Sequence, residues 1–175
     1  RARSSCPAYY NFDSSRIEHA LDDARKAVDM GFTALKDHWS STAEENVSNA
    51  RAVRHTFGDT PLFHDAASAP YTYEEALYVG HALQELRFEW FEEPLPDRNI
   101  DQLQALCSAL DIPILAPETL MHEWELSALW LRLGATDLLR ANARHGTTAT
   151  LKLAHCAQMQ DSTIELNGPG GLFGL

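Results

Sequence analysis

Phe88-Glu89-Trp90-Phe91-Glu92-Glu93-Pro94-Leu95-Pro96 is a short aromatic run that breaks off in two adjacent carboxylates and a proline. Aromatic side chains favour a pleated, buried surface, and Pro94 has no N–H to give to a ladder. The run therefore predicts a buried strand that finishes at about Glu92, with an acidic group at its carboxyl end. In proteins that alternate strands and helices, ligands and reacting groups collect at that end.

The same pattern recurs along the chain. Thr60-Pro61-Leu62-Phe63-His64-Asp65 and Ile112-Pro113-Ile114-Leu115-Ala116-Pro117-Glu118 are apolar runs that also end in a carboxylate. Asp65, Glu92 and Glu118 are 27 and 26 residues apart, about one strand-plus-helix unit each. One unit earlier, Phe32-Thr33-Ala34-Leu35-Lys36-Asp37-His38 delivers a lysine and a histidine. Successive strands are thus expected to bring Lys36, His38, Asp65, Glu92 and Glu118 to one end of one sheet. Three converging carboxylates with too little neutralising charge repel one another. A hard divalent cation with oxygen ligands, Mg²⁺ above all, relieves that repulsion.

The 175 residues suffice for one domain with a sizeable core. No apolar run approaches the ~20 residues that a membrane span needs, and Arg1-Ala2-Arg3-Ser4-Ser5-Cys6 lacks the apolar segment of a signal peptide. Cys6, Cys107 and Cys156 are odd in number and far apart, as expected of reduced thiols in a cytoplasmic protein. The net charge of −11 argues against a nucleic-acid partner. It leaves room for an anionic small molecule, because a metal ion and Lys36 reverse the field locally. Homo-oligomerisation is left open.

The rest of the chain keeps one rhythm. A first strand is expected over residues 3–10. Asp13-Ser14-Ser15 offers a cap for a helix carrying Ile17, Leu21, Ala24 and Val28 at helical spacing, closed by Gly31. Ser40-Ser41-Thr42 opens a second helix towards Phe57, and Gly58-Asp59-Thr60-Pro61 turns into the Asp65 strand. A third helix runs from Thr72 to about Leu86, a fourth carries Ile100, Leu103, Leu106 and Leu110, and a fifth covers Met121 to Leu133 before Gly134. Thr136–Arg140 reads as a sixth strand, Thr147–Gln158 as a sixth helix, and Ser162–Leu166 as a seventh strand before the turn Asn167-Gly168-Pro169-Gly170-Gly171.

This is an α/β chain with seven strands and six helices over residues 1–175, one domain without an internal linker. Either the sheet is open and doubly wound, or the chain is an incomplete (β/α)8 TIM-type barrel. The even spacing of the strand-end residues favours the barrel, since a doubly wound sheet gathers its site at a switch point.

Together, Gly31-Phe32-Thr33-Ala34-Leu35-Lys36, Trp90-Phe91-Glu92-Glu93-Pro94-Leu95 and Ile112-Pro113-Ile114 leading to Glu118 resemble the enolase superfamily, in its mandelate racemase-like branch. The resemblance implies that Asp65, Glu92 and Glu118 bind Mg²⁺ and that Lys36 and His38 lie beside the substrate. It also implies a partial chain, lacking the amino-terminal capping domain and the last βα unit. Four departures stand out. Lys36-Asp37-His38 replaces the family's Lys-x-Lys, which makes the base an imidazole. Asp65-Ala66-Ala67 replaces Asp-x-Asn. The region Arg140-Ala141-Asn142-Ala143-Arg144-His145 has no aspartate, and the histidine of the seventh strand is expected just past Leu175.

The family's shared step is removal of the proton next to a carboxylate. Mg²⁺ serves as Lewis acid, Lys36 as a fixed cation and His38 as general base, imidazole being suited to that role at neutral pH. Asn142, Arg144 and His145 are candidate substrate contacts. Glu93 is expected to point away from Glu92, since neighbouring strand residues face opposite ways, and His64 is expected to face the helices. Within the family the expected activity is dehydration of a sugar acid to a 2-keto-3-deoxy acid. The alternatives are racemisation or epimerisation, which needs a second base on the other face, or a catalytically incompetent fragment.

Overall fold

The computed structural model describes residues 6–12, 16–67, 71–120, 123–142, 144 and 146–168. The Asp13-Ser14-Ser15 cap, Met121, His145 and the Pro169-Gly170-Gly171 part of the last turn lie outside the described residues. Strands β1 (Tyr10–Phe12), β2 (Leu35–Asp37), β3 (Leu62–Asp65), β4 (Phe91–Glu92), β5 (Ile114–Ala116), β6 (Leu138–Asn142) and β7 (Ile164–Asn167) alternate with six helices. These are α1 (Ile17–Asp29), α2 (Ala43–Phe57), α3 (Tyr73–Glu85), α4 (Ile100–Ala109), α5 (Trp124–Arg132) and α6 (Gly146–Met159).

All strand pairs are parallel, and the sheet order is β1-β2-β3-β4-β5-β6-β7. Strict chain order has no switch point, so the doubly wound alternative is excluded. The sheet also curls. A flat sheet would set β1 and β6 about 24 Å apart at ~4.8 Å per strand, yet Arg140 of β6 reaches the Tyr9 hydroxyl just before β1 at 3.4 Å.

Local sequence explains the elements. Thr42 and Thr72 each accept from the backbone N–H three residues on, and Glu45 and Glu75 reach back to the threonine N–H. Both capping boxes satisfy donors that the first helical turn would otherwise leave open. In α1 the buried stripe runs through Ala20, Ala24 and Ala27, and Val28, expected on it, is 41% exposed. Small side chains there let the helix lie close to the sheet. The main core fills the space between the sheet and α1 to α4, with Leu35, Leu62, Phe91 and Ile114 on the sheet side. A smaller cluster of Leu131, Leu139, Ala141, Leu153 and Ala157 serves α5 and α6.

Two strands differ from expectation. Among the described residues β1 begins at Tyr10, placing Asn11 opposite Lys36 in register, and the expected start near Arg3 lies outside the described residues. β6 begins at Leu138 and runs on to Asn142. Ahead of it, the Thr136 hydroxyl accepts from the Ala116 N–H at 3.0 Å and an Asp137 oxygen accepts from the Ile114 N–H at 2.9 Å. These side chains share the β5 backbone with one backbone bond, Asp137 N–H to the Ile114 carbonyl at 2.9 Å, and the strand proper starts two residues later than expected. Arg140 is therefore mid-strand and faces inward with Leu138 and Asn142.

Candidate metal and substrate site

Lys36 projects from β2 into the curl of the sheet and is 6% exposed. Its Nζ donates to Asp65 Oδ2 of β3 and to Glu92 Oε2 of β4, each at 2.6 Å. An aromatic floor lies beneath it: Phe63 stacks on Trp90 at 3.8 Å, and the Tyr9 ring sits 5.8 Å from Nζ. Burial pulls the lysine pKa down, but Glu92 and Asp65 outweigh it and hold the pKa above its ordinary value. Lys36 is a permanent cation here.

The two carboxylates that share it diverge. Burial pushes Asp65 up, but Lys36 overrides it by charge and hydrogen bond, and the Ala67 N–H donates at 2.8 Å, so Asp65 ends below its ordinary pKa. Glu92 is fully buried; burial and the neighbouring Asp65 charge raise it, against the pull of Arg140 and Lys36.

Arg140, 1% exposed, is the second cation of the site. Its Nη2 donates to Glu92 Oε1, and its Nε lies 3.5 Å from Glu118 Oε2. Glu118, beyond the end of β5, also accepts from Asn167 Nδ2 at 2.8 Å. As the last residue of a strand over Thr136–Arg140, Arg140 has nothing to single it out. The available signal was an arginine inside Leu138-Leu139-Arg140-Ala141, since a buried cation demands an anionic partner.

A polar cavity of about 210 Å³ opens over these groups, lined by Tyr9, Asn11, Lys36, His38, Asp65, Glu93, Glu118 and Asn167. His38 stands at its mouth, its side chain 43% exposed and its Nε2 4.0 Å from Asp65 Oδ2. Glu93 lines it too, contrary to the expectation that it points away from Glu92. Its φ of +49° breaks the strand geometry on which the alternation rule depends. Burial, then repulsion from Asp65, Glu118, Asp97 and Glu92, raises the Glu93 carboxyl to about 7.

Behind the site, on the face turned to the helices, His64 Nδ1 lies 2.7 Å from Asp37 Oδ1, both side chains being buried. The ring packs against Phe91, with centroids 5.4 Å apart. His64 thus faces the helices as expected.

The structure gathers Lys36, His38, Asp65, Glu92 and Glu118 at one end of the sheet. Asn142 is buried at the end of β6 and accepts from the Arg144 N–H at 2.9 Å. Arg144 is exposed, and neither it nor Asn142 lines the cavity. His145 lies outside the described residues. Tyr9, Asn11, Glu93, Arg140 and Asn167 are the site residues that sequence reasoning did not place there. The seventh strand ends in Asn167, in register with Asn142, so both strand ends carry amides.

The donor set suits a hard divalent cation. Asp65, Glu92 and Glu118 offer oxygens only, and the raised Glu93 carboxyl records negative charge that Lys36 and Arg140 leave uncompensated. As they stand, the two cations lie between the carboxylates. Among the described residues, no three His, Cys, Asp or Glu side chains close on a common point.

The profile of the enolase C-terminal domain-like family matches residues 19–175. Arabinonate dehydratase of Saccharolobus solfataricus is 26% identical over 162 residues, 91% of this chain and 43% of that protein. L-Lys-D/L-Arg epimerase of Methylococcus capsulatus is 27% identical over 129 residues, 74% of this chain and 36% of that one. Among solved structures, D-glucarate dehydratase from Agrobacterium tumefaciens, complexed with magnesium, superposes with a TM-score of 0.84 at 28% identity, covering 92% of this chain and 46% of that chain. The chain spans less than half the length of these relatives. With its parallel strands in chain order and its acidic strand ends, it belongs to the enolase C-terminal domain-like family.

Proposed function

We propose that this chain contributes the reacting half of a Mg²⁺-dependent enzyme that abstracts the proton α to a carboxylate and dehydrates a sugar acid. The observation that carries the reading is Lys36, a buried cation 2.6 Å from both Asp65 and Glu92, with His38 two residues on at the cavity mouth. Relatives named as dehydratases of arabinonate and glucarate support the substrate class.

Asp65, Glu92 and Glu118 would hold the Mg²⁺, which supplies Lewis-acid stabilisation of the substrate carboxylate. Lys36, held protonated by its two carboxylates, cannot accept a proton and instead stabilises negative charge as it develops. His38 takes the α-proton, and the C–H pair moves into the carboxylate to give an enediolate. Collapse of that pair forms the Cα–Cβ double bond and breaks the β C–O bond. The leaving hydroxide takes a proton from the His38 imidazolium and departs as water, and the enol tautomerises to the 2-keto-3-deoxy acid. Racemisation needs a second titrating group on the opposite face. Among the described residues β6 and β7 end in the amides Asn142 and Asn167, which are not such groups, whereas Glu93 in the cavity wall can titrate.

The test is incubation with a panel of aldonic and aldaric acids and Mg²⁺ in deuterium oxide. Formation of a 2-keto acid that disappears in Glu92→Gln and His38→Gln is the expected result. Deuterium entering Cα with the hydroxyl retained would reassign the protein as an epimerase. Absence of exchange on every acid would overturn the reading.

A further inference from the structure

We propose that Arg140 is a built-in competitor for the metal carboxylates: it neutralises Glu92 and Glu118 while no divalent ion is bound, and must release them as the ion enters. The inference rests on the reading that Asp65, Glu92 and Glu118 take Mg²⁺.

Four observations converge on it. Arg140 is almost completely buried, yet it does not line the cavity, so its charge faces the protein rather than substrate. Its fork spans two of the three proposed ligands, donating to Glu92 Oε1 and lying near Glu118 Oε2. Lys36 holds the other Glu92 oxygen and Asp65, so two resident cations face three carboxylates. The two contacts of Arg140 are also unequal. Its Glu92 contact is close, whereas the 3.5 Å separation from Glu118 is a loose charge contact, and the Glu118 side chain is 23% exposed.

An unpaired buried carboxylate is costly, so an empty triad needs internal cations to stay folded. Guanidinium never gives up its proton in this range, so Arg140 cannot step aside by titrating. It can only exchange partners. On its remaining sides Arg140 meets the Tyr9 hydroxyl and the Glu165 carbonyl, each at 3.4 Å, and both remain available when the carboxylates turn to an ion. Glu118, held least tightly by Arg140 and already facing the cavity, is the first ligand to turn. Ion affinity is then set by the difference between the ion and the guanidinium as partners for the same oxygens.

The test is calorimetric titration of the protein with MgCl₂, and thermal unfolding in chelator and in Mg²⁺, for wild type, Arg140→Met and Arg140→Lys. Removing the competing charge should tighten Mg²⁺ binding about tenfold or more, within the usual range of coupling between sites. The Met variant should melt well below wild type in chelator and recover most of the gap in Mg²⁺, because the ion binds only the folded form. A merely structural arginine would not raise ion affinity when removed. Wild type and Arg140→Met binding Mg²⁺ equally, within about twofold, would overturn this inference and leave the metal reading intact. Binding by neither would overturn both. If the Met variant does not fold, Arg140→Lys decides: a lysine reaches one carboxylate at a time, so tighter binding than wild type supports the proposal and equal binding overturns it.

Discussion

Asp37 and His64 meet at 2.7 Å on the face of the sheet opposite Lys36 and Asp65, each being the immediate chain neighbour of a site residue. Asp37 Oδ1 also accepts from the Asp65 N–H at 3.2 Å, so this one carboxylate ties β2 to β3 behind the site. Burial raises the Asp37 pKa, and the His64 charge and hydrogen bond oppose it.

Asp37→Ala should cost about 3–5 kcal/mol in urea unfolding, the range for removing one partner of a buried pair. The Nδ1 contact with Asp37 is the one ion-pair contact of the buried His64 ring among the described residues, so its removal would leave the ring wholly unpaired. The double change Asp37→Leu with His64→Leu should cost less than Asp37→Ala alone. A larger cost would mean that the pair contributes more than mutual compensation.

Lys36→Met should destabilise the metal-free protein by a similar amount, about 3–5 kcal/mol near neutral pH. Asp65, whose pKa Lys36 lowers, contributes stability present above the unfolded carboxylate pKa and lost as pH falls through its depressed folded value. The gap between wild type and variant should therefore hold steady above about pH 6 and close below about pH 4. Melting curves across that range check the sign.

His38→Gln should lower α-proton exchange by about 10² to 10⁴-fold, the usual worth of a general base. Mg²⁺ affinity should stay within about threefold of wild type, since His38 is 4.0 Å from Asp65 and lies outside the proposed ligand set. Parallel loss of both properties would recast His38 as part of the metal site.

Glu93→Gln should stabilise the protein at about pH 8 by roughly 2–3 kcal/mol and have little effect below about pH 4.5. The native carboxyl keeps its proton up to about 7, whereas an unfolded glutamate releases it near 4.3. Wild type thus loses stability as pH rises between those two values, and the amide does not. A gain that is flat with pH would show that Glu93 is not buried against other carboxylates as described.

Much of this was legible in the chain. Asp65, Glu92 and Glu118 could be placed because a strand-plus-helix unit has a nearly fixed length, so equal spacing transfers directly into one end of a sheet. Thr42 and Thr72 marked helix starts because a capping box is local chemistry. Arg140 was hidden because a strand ending there leaves it at an edge, whereas β6 runs on to Asn142 and the curl of the sheet sets the guanidinium against Glu92 and Glu118, a tertiary event. Glu93 was hidden because side-chain alternation presumes extended backbone, and one residue at positive φ reverses it. Tyr9 and Asn167 come from opposite ends of the chain and meet only because the sheet curls.

The strict succession of strands also sets an order of assembly. Each parallel pairing joins neighbours in the chain, so the sheet can grow strand by strand as the polypeptide leaves the ribosome. Lys36 is in place before Asp65 and Glu92 arrive, and each new acid meets a waiting ammonium. Glu118 comes before its guanidinium, which arrives only with β6. Between those two events the three carboxylates of the site face the Lys36 ammonium alone.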